Sequence, residues 1–481
     1  MSSACQSIPV SEPVDDGRGH IAHVSPMHSA QLLWRVPEDG EAEVEEAVRR
    51  ASLAREALDL MTLEERAALL ESLADRVEGA ADDLVIQLAD EVGKPVAIGR
   101  GEVAAAAGFL RSCARFGRLD DSGLHTQAGY SRRRPLGVVG LITPWNNPLA
   151  IPLGKIAPAL VYGNTVAWKP APQAMGIATR ILKFLAEESL PAGTVSLVRG
   201  GAATGACLVA HRGLHAVTVT GSTTTGAGVL ATCARRVMPV QAELGGNNAS
   251  IVWADGDVAD AAGRIAKGAF GFAGQRCTAN RRVVVDSHCA ELFISELEAA
   301  VAGLGWGDPH DADVTVGPMI SIASRDRVAE LVERSSATCE LRAPHRTQAN
   351  HDELVEQGAY IAPALVLCED PEHEVVQQET FGPVLVVQRA KDWGHALRLC
   401  NGVEQGLVAS LFSRSSDRQR EFIDRAEAGV VKINAATADV AVDLPFGGWK
   451  RSGLGPAEHA EGDREFYTRL QSVYGRATED A

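Results

Sequence analysis

From Gly137 onward the chain repeats one pattern: a short, almost unbroken apolar run, bounded by Gly or Pro, followed by a helical stretch. Gly137–Thr143, Asn164–Pro170, Thr194–Val198 and His215–Ser222 form a first series of such runs. Asn248–Trp253, Arg281–Asp286, Pro383–Gln388, Val408–Phe412 and Val430–Asn434 form a second. Strands that are apolar on both faces and alternate with helices belong to parallel sheets covered on both sides. Two series predict two α/β units with a crevice between them. Upstream, Glu41–Leu73 reads as one helix, and Ala81–Leu110 as helix broken at Gly93-Lys94-Pro95. Gly123–Pro135 carries the run Arg132–Arg134 and is too polar for a buried strand. It reads as a protruding ribbon pairing with Glu465–Tyr474, or as a solvated loop.

A length of 481 residues is about three domains' worth of chain at roughly 150 residues each. Lys and Arg number 46 against 62 Asp and Glu, a net charge of −16, so no broad basic surface exists for nucleic acid or an anionic membrane. The nine cysteines are odd in number and include no CxxC pair, which disfavours a disulfide framework or zinc knuckle and fits a reducing cytoplasm. The first thirty residues hold no apolar signal core, and no apolar run reaches the ~18 residues of a membrane span. The pair His211/His215 has no HExxH-type glutamate, so no metal site is expected.

Several short segments carry chemistry-bearing residues. In FGFAGQRCTA, Cys277 lies between Arg276 and Thr278 on a Gly-bounded stretch suited to presenting a thiol to a cleft. A thiol nucleophile acts as thiolate, which nearby positive charge or backbone donors favour. In QAELGGNNAS, Glu243 stands beside two glycines just before a strand, where partial burial raises a carboxyl toward the pKa of a general base. TPWNNP (Thr143–Pro148) ends the GVVGLIT strand, the end at which open α/β sheets bind ligands, and Asn146 offers an amide donor for an oxyanion. Lys169 closes the NTVAWKP strand, and GSTTTG (Gly221–Gly226) leads into a helix whose N-terminus suits a pyrophosphate. Each segment alone has a plain structural reading as turn, cap or core.

Together they resemble the aldehyde dehydrogenase superfamily from about Glu43 to Tyr474, with QETFGPV (Gln378–Val384) and LPFGGWKRSG (Leu444–Gly453) completing six blocks in the family's order. The resemblance implies an α/β fold: a Rossmann-like cofactor domain (1–117 and 138–244), an α/β catalytic domain (245–445) and a small β oligomerisation ribbon (118–137 and 462–481). It implies a homodimer or homotetramer that oxidises an aldehyde with NAD, NADP being possible. Cys277 would attack the aldehyde, Asn146 would hold the oxyanion, and Glu243 would activate water against the resulting thioester. Cofactor contacts implied are Ile142, Thr143, Pro144 and Trp145; Lys169 and Pro172; Gly201 and Gly205; Gly221, Ser222 and Gly226; Leu244 and Gly245; and Glu379 with Phe381. A base at Glu243 favours release of a free acid over transfer to coenzyme A.

Two positions depart from the family's pattern. Pro172 stands where a glutamate often grips the ribose 2′-hydroxyl, which weakens the exclusion of NADP, although PAPQAM brings in no new basic residue. Asn147 stands where an aromatic residue commonly lines the substrate tunnel. Arg276, and Arg111 with Arg115 at helical spacing, either bind an anionic tail or make structural ion pairs. With Asn147 and Thr278 they form the expected substrate wall. GQRCTA and EFYTRLQSVY are similar to those blocks in α-ketoglutaric semialdehyde dehydrogenases, which implies a small aldehyde bearing a carboxylate, phosphonate or sulfonate. The alternatives are an apolar aliphatic or aromatic aldehyde and, from another class, a non-catalytic cofactor-binding or structural protein.

Overall fold

The computed structural model describes residues 19–119, 123–342 and 351–475. Cys5, the opening of the chain, residues 120–122 of the expected ribbon and its last residues 476–481 lie outside the described residues. The first apolar series forms a six-stranded sheet in the order Gly453–Leu454, Val240–Glu243, Ala216–Thr220, Val138–Thr143, Thr165–Pro170, Val195–Leu197. All neighbours are parallel except the edge strand Gly453–Leu454, which runs antiparallel to Val240–Glu243. Every residue of Val138–Thr143 is buried, as a strand covered on both faces requires. After it the chain adds strands first on one side, then on the other. The crevice past its C-terminal end is therefore a topological switch point, where α/β sheets bind ligands.

The second series forms a seven-stranded sheet in the order Glu340–Arg342, Ala364–Leu367, Val384–Ala390, Arg282–Asp286, Ala249–Val252, Val408–Phe412, Val430–Ile433. Only its edge strand Glu340–Arg342 is antiparallel. Val240–Glu243 ends the run of parallel strands in the first sheet, and Ala249–Val252 begins the second only a few residues later. Leu244–Asn248 thus bridges the two sheets.

The break at Gly93-Lys94-Pro95 separates helices Ala81–Val92 and Val96–Gly117. Gly93 adopts φ +68° and a Cβ there would come 2.6 Å from Pro318, so both backbone and space demand glycine. The single helix expected over Glu41–Leu73 is two, Glu41–Asp59 and Leu63–Gly79. Thr62 Oγ1 accepts from the Glu65 N–H at 3.2 Å and Glu65 returns a bond to the Thr62 N–H at 2.7 Å, a capping box that restarts the helix.

Gly129–Pro135 pairs antiparallel with Thr468–Tyr474 and, on its other side, with His125–Thr126. The ribbon is thus a three-stranded sheet rather than a solvated loop. A hairpin of His20–Val24 and Leu32–Pro37, unexpected from the sequence, precedes the first helix. No helix among the described residues is long and apolar enough to cross a membrane.

Candidate active site

Cys277 sits at the end of a loop whose backbone is forced. Phe272 (φ 55°), Ala273 (φ 50°) and Gly274 (φ 68°) are consecutive residues in the left-handed region, a conformation costing about 1–2 kcal/mol at each non-glycine. Surrounding side chains hold it. Gln275 donates to Pro318 O at 3.1 Å and accepts from the Ile320 N–H at 2.8 Å. Buried Arg281 donates to the carbonyls of Gly274, Arg276 (3.1 Å) and Gly382 (2.9 Å). Asn248 Nδ2 donates to the carbonyls of Cys277 (2.7 Å) and Ala279 (2.8 Å), and Thr278 Oγ1 donates to Ala438 O at 2.9 Å.

Cys277 and Glu243 both line one cavity of about 440 Å³. Burial pushes the Cys277 thiol up to about 12, with the carboxylates of Glu379, Glu243 and Glu458 adding to the effect. Glu243 is the last residue of its strand and buried, and its Oε2 has no hydrogen-bond partner among the described residues. Burial holds its carboxyl well above the usual range, the neighbouring Glu458 charge raising it further and Lys155 opposing. Lys155 is itself buried, ion-paired to Glu458 and 2.7 Å from Thr218 Oγ1.

Elsewhere in this cavity Lys94 emerges from the helix break. It ion-pairs with Glu102, donates to Asn147 Oδ1 at 2.7 Å and lies 4.7 Å over the Phe272 ring. Glu102 Oε1 in turn accepts from the N–H groups of Leu149 (2.9 Å) and Ala150 (3.2 Å). Arg276 also lines the cavity. Its guanidinium donates to the carbonyls of Lys267 (3.3 Å) and Gly268 (3.2 Å), while its Nε is buried without a partner among the described residues.

A second crevice of about 390 Å³ meets the first at Cys277 and Leu244. Pro144, Trp145 and Asn146 line one side, and Gly221 and Ser222 another. Gly245, Glu379 and Phe381 complete it. The Trp145 ring meets Phe381 edge-on at 5.8 Å and Phe272 at 6.3 Å. Asn146 Nδ2 donates to Gln275 O at 3.0 Å, leaving its second amide hydrogen available. Glu379 accepts from the Gly246 N–H at 3.2 Å, and a Cβ on Gly245 would stand 2.1 Å from its Oε2.

The profile of the aldehyde dehydrogenase family matches residues 14–473. The chain belongs to the aldehyde dehydrogenase family. It is 35% identical over 438 residues to the α-ketoglutaric semialdehyde dehydrogenase of Bacillus subtilis, covering 90% of each chain. The solved NAD-dependent aldehyde dehydrogenase of Sinorhizobium meliloti superposes with a TM-score of 0.89 at 31% identity, over 96% of this chain and 93% of that one. The betaine aldehyde dehydrogenase of Staphylococcus aureus, solved with NAD+, gives 0.90 at 25% identity, over 95% and 92%. The protein is an oxidoreductase acting on aldehydes, with NAD(P) as its cofactor class.

In this aldehyde dehydrogenase the substrate positions read from sequence divide sharply. Asn147, Arg276 and Thr278 line the Cys277 cavity. Arg111 and Arg115 do not. Arg111 pairs with Asp75 (2.7 Å) and Glu78, and Arg115 with Asp443, on the outer face of the helix. Helical periodicity set them side by side but did not say which face is buried.

The cofactor positions divide too. Ile142 and Thr143 are buried in the central strand, Thr143 Oγ1 accepting from Trp168 Nε1 at 2.9 Å. Gly226 is closed by packing, since a Cβ there would lie 2.2 Å from Leu244. Ser222 caps its helix by accepting from the Thr225 N–H at 3.2 Å. Pro172 opens a short 3-10 turn. Lys169 stands away from the crevice, donating to Pro170 O (3.1 Å) and Gly200 O (3.0 Å), close enough to Gly205 that a Cβ there would lie 3.2 Å from its side chain.

Sequence reasoning missed Glu38, just past the N-terminal hairpin. Its Oε1 accepts from the Gly201 N–H at 2.8 Å and from Thr204 Oγ1 at 3.1 Å. Burial lowers Lys169 to about 8, and the Glu38 charge opposes that shift. Lys94, Asn248 and Arg281 were missed as well. Only Lys94 had a signal, a lysine between the glycine and proline of a helix break.

Proposed function

We propose that this aldehyde dehydrogenase oxidises a small aldehyde carrying an acidic group to the free carboxylic acid, with NAD in preference to NADP. One observation carries the reading: the cavity that holds Cys277 and Glu243 is also lined by Arg276, whose Nε–H is buried without an acceptor among the described residues, whereas Lys94 is already paired with Glu102. The printed name of the Bacillus subtilis relative, a semialdehyde dehydrogenase, supports it. An apolar aldehyde would leave the Arg276 Nε–H buried without an acceptor, which costs about 1–3 kcal/mol. A non-catalytic role is not favoured, because a carboxyl with an unpartnered oxygen and a thiol facing the same cavity are what acyl chemistry uses.

The Cys277 sulfur forms a bond to the aldehyde carbon while the carbonyl electron pair moves onto oxygen. In the resting state that thiol keeps its proton and gives it up to solvent as the sulfur–carbon bond forms, so Glu243 keeps its free oxygen for the later water step. The remaining Asn146 amide hydrogen and the Cys277 N–H hold the oxyanion. NAD held in the crevice would supply the two-electron oxidant by accepting the hydrogen of that carbon as hydride, which would let the oxyanion re-form a carbonyl and leave the acyl group on Cys277 as a thioester. Glu243 then takes a proton from water, whose oxygen adds to the thioester carbon. The Cys277 sulfur departs and the acid is freed.

The crevice fits a dinucleotide. Trp145 and Phe381 wall its inner end, Glu379 is folded against Gly245 where a ribose hydroxyl would find an acceptor, and Ser222 opens a helix N-terminus suited to pyrophosphate. Lys169, Gly201 and Gly205 cluster with Glu38 beyond it. Glu38 supplies beside Lys169 the carboxylate that Pro172 lacks, and its charge opposes a 2′-phosphate. We read 1–117 with 138–244 as the cofactor unit, 245–445 as the catalytic unit, and 118–137 with 462–481 as the ribbon that joins copies into a dimer or tetramer. Leu470 and Tyr474 stand exposed on that ribbon, and the free cysteines agree with a reducing cytoplasm.

The test follows reduced-nicotinamide absorbance with NAD and NADP separately, over acidic, aliphatic and aromatic aldehydes, with Cys277→Ala alongside. Turnover that prefers acidic aldehydes and NAD and vanishes in the variant supports the proposal. Thiol-independent turnover overturns the mechanism, and equal turnover of all classes overturns the substrate reading.

A further inference from the structure

Outside both cavities, three reactive side chains meet at the antiparallel edge of the second sheet. Cys339 directly precedes the strand Glu340–Arg342, and Cys368 directly follows Ala364–Leu367. Glu340 pairs with Leu367, so one step outward in the same register sets Cys339 opposite Cys368. The Cys339 N–H bonds to Ser335 O (2.8 Å) and the Cys368 N–H to Val387 O (3.1 Å), so neither N–H is spent on the other cysteine. Opposed residues at such a position have Cα atoms roughly 4.5 Å apart. Disulfides span Cα separations of about 4.4–6.8 Å. Both sulfurs and a ring nitrogen of His373 lie within 4.8 Å of one another, and both thiols are free. Cys368 is buried and Cys339 only half-buried, which leaves one of the two reachable by a small oxidant.

We propose that Cys339 and Cys368 form a reversible oxidation site, at which hydrogen peroxide or an organic hydroperoxide joins the two thiols as a disulfide. The Cys339 sulfur, having given up its proton, attacks one peroxide oxygen. An S–O bond forms, the O–O bond breaks, and the leaving oxygen departs as water or alcohol with that proton, giving a sulfenic acid. The Cys368 sulfur then attacks the Cys339 sulfur. The S–S bond forms, the S–O bond breaks, and hydroxide leaves as water with the proton Cys368 gives up. Overall two thiols lose two electrons and two protons to one peroxide, and a dithiol reductant reverses the change by exchange.

The same trio has the composition of a soft-metal site, but the imidazole is already engaged. His373 Nδ1 accepts from the Val375 N–H at 3.1 Å as the cap of Glu374–Gln377, and its Nε2 bonds Thr338 Oγ1 at 2.9 Å. A bound cation would keep only the two sulfurs. The cap also links this edge to the catalytic region, because Asn247 Nδ2 donates to Val376 O (2.8 Å) and Gln377 O (3.2 Å) from the segment that follows Glu243.

The experiment treats the reduced full-length enzyme with hydrogen peroxide, alkylates the remaining thiols, and maps unreduced peptides by mass spectrometry. The expected product is a linked pair containing Cys339 and Cys368, lighter by two hydrogens and released by dithiothreitol. Cys339→Ser and Cys368→Ser each abolish the linked pair. Cys277→Ser retains it, which separates this site from oxidation of the nucleophile. Sulfinic acid at Cys339 with Cys368 still alkylated overturns the proposal. So does one equivalent of zinc retained by the isolated enzyme and shielding both thiols.

Discussion

Asn248 holds the Cys277 carbonyl at 2.7 Å, while its own Oδ1 accepts from the Val408 N–H at 3.0 Å. The glutamate-bearing segment is thereby fastened to the cysteine-bearing loop through one buried amide. Asn248→Ala leaves two loop carbonyls and one strand N–H unsatisfied, at about 1–3 kcal/mol for each buried group. We expect kcat to fall roughly 10- to 100-fold with KM for NAD little changed, on the argument that small misplacement of a nucleophile is costly. Steady-state kinetics with saturating NAD measures this; an unchanged kcat refutes the positioning role.

Glu243→Gln should separate acylation from hydrolysis. A carboxamide cannot take a proton from water, so deacylation should slow by about 10²–10⁴-fold. Stopped-flow absorbance is expected to show a burst of reduced nicotinamide approaching one equivalent, then a near stall. Loss of the burst itself would assign Glu243 to thiol activation rather than hydrolysis.

The Lys155–Glu458 pair sets a pH dependence. Glu458 raises both the Glu243 carboxyl and the Cys277 thiol, so its neutralisation lowers both, and unpaired Lys155 acts on Glu243 in the same direction. Glu458→Gln is therefore predicted to move the acidic limb of the kcat/KM profile to lower pH. A limb that stays put or moves up refutes the coupling. Lys155 is left buried without its carboxylate, and breaking such a pair costs about 3–5 kcal/mol, so Tm should fall as well.

Glu38→Gln tests cofactor choice by binding alone. Removing one charge near Lys169 should tighten NADP roughly tenfold, the scale of a charge–charge interaction at intermediate dielectric, and weaken NAD. Isothermal titration with each nucleotide reads both. A parallel change in the two affinities would show that Glu38 only supports the fold.

Arg276→Leu should cost about 10- to 100-fold in kcat/KM with carboxylate-bearing aldehydes, the worth of a charged hydrogen bond, and little with neutral ones. Arg111→Ala with Arg115→Ala should leave both unchanged and lower stability by no more than about 1 kcal/mol per exposed pair. If the double variant rather than Arg276→Leu discriminates against anionic substrates, the cavity assignment is wrong.

The strands of both sheets were legible because burial on both faces demands unbroken apolar runs, as in Val138–Thr143 and Arg282–Asp286. Cys277, Glu243 and Asn146 could be singled out only through the resemblance that six motifs in order bear to the aldehyde dehydrogenase family, since each segment alone reads as turn, cap or core. The N-terminal hairpin gave no such signal, since its partner strand and the contacts of Glu38 are long-range. Helical spacing likewise placed Arg111 and Arg115 on one face but could not say that the face meets Asp75, Glu78 and Asp443 rather than substrate.

The sequence by itself determined the α/β class, the order of the motifs and the residue types available for chemistry, because periodicity and local backbone demands are written within a few residues. Only the tertiary structure decided which charges face the cavity. Lys94, Glu102 and Arg276 converge there from separate elements. Whether a side chain is a surface ion or a buried one depends on what packs over it, and that is fixed by contacts between segments far apart in the chain.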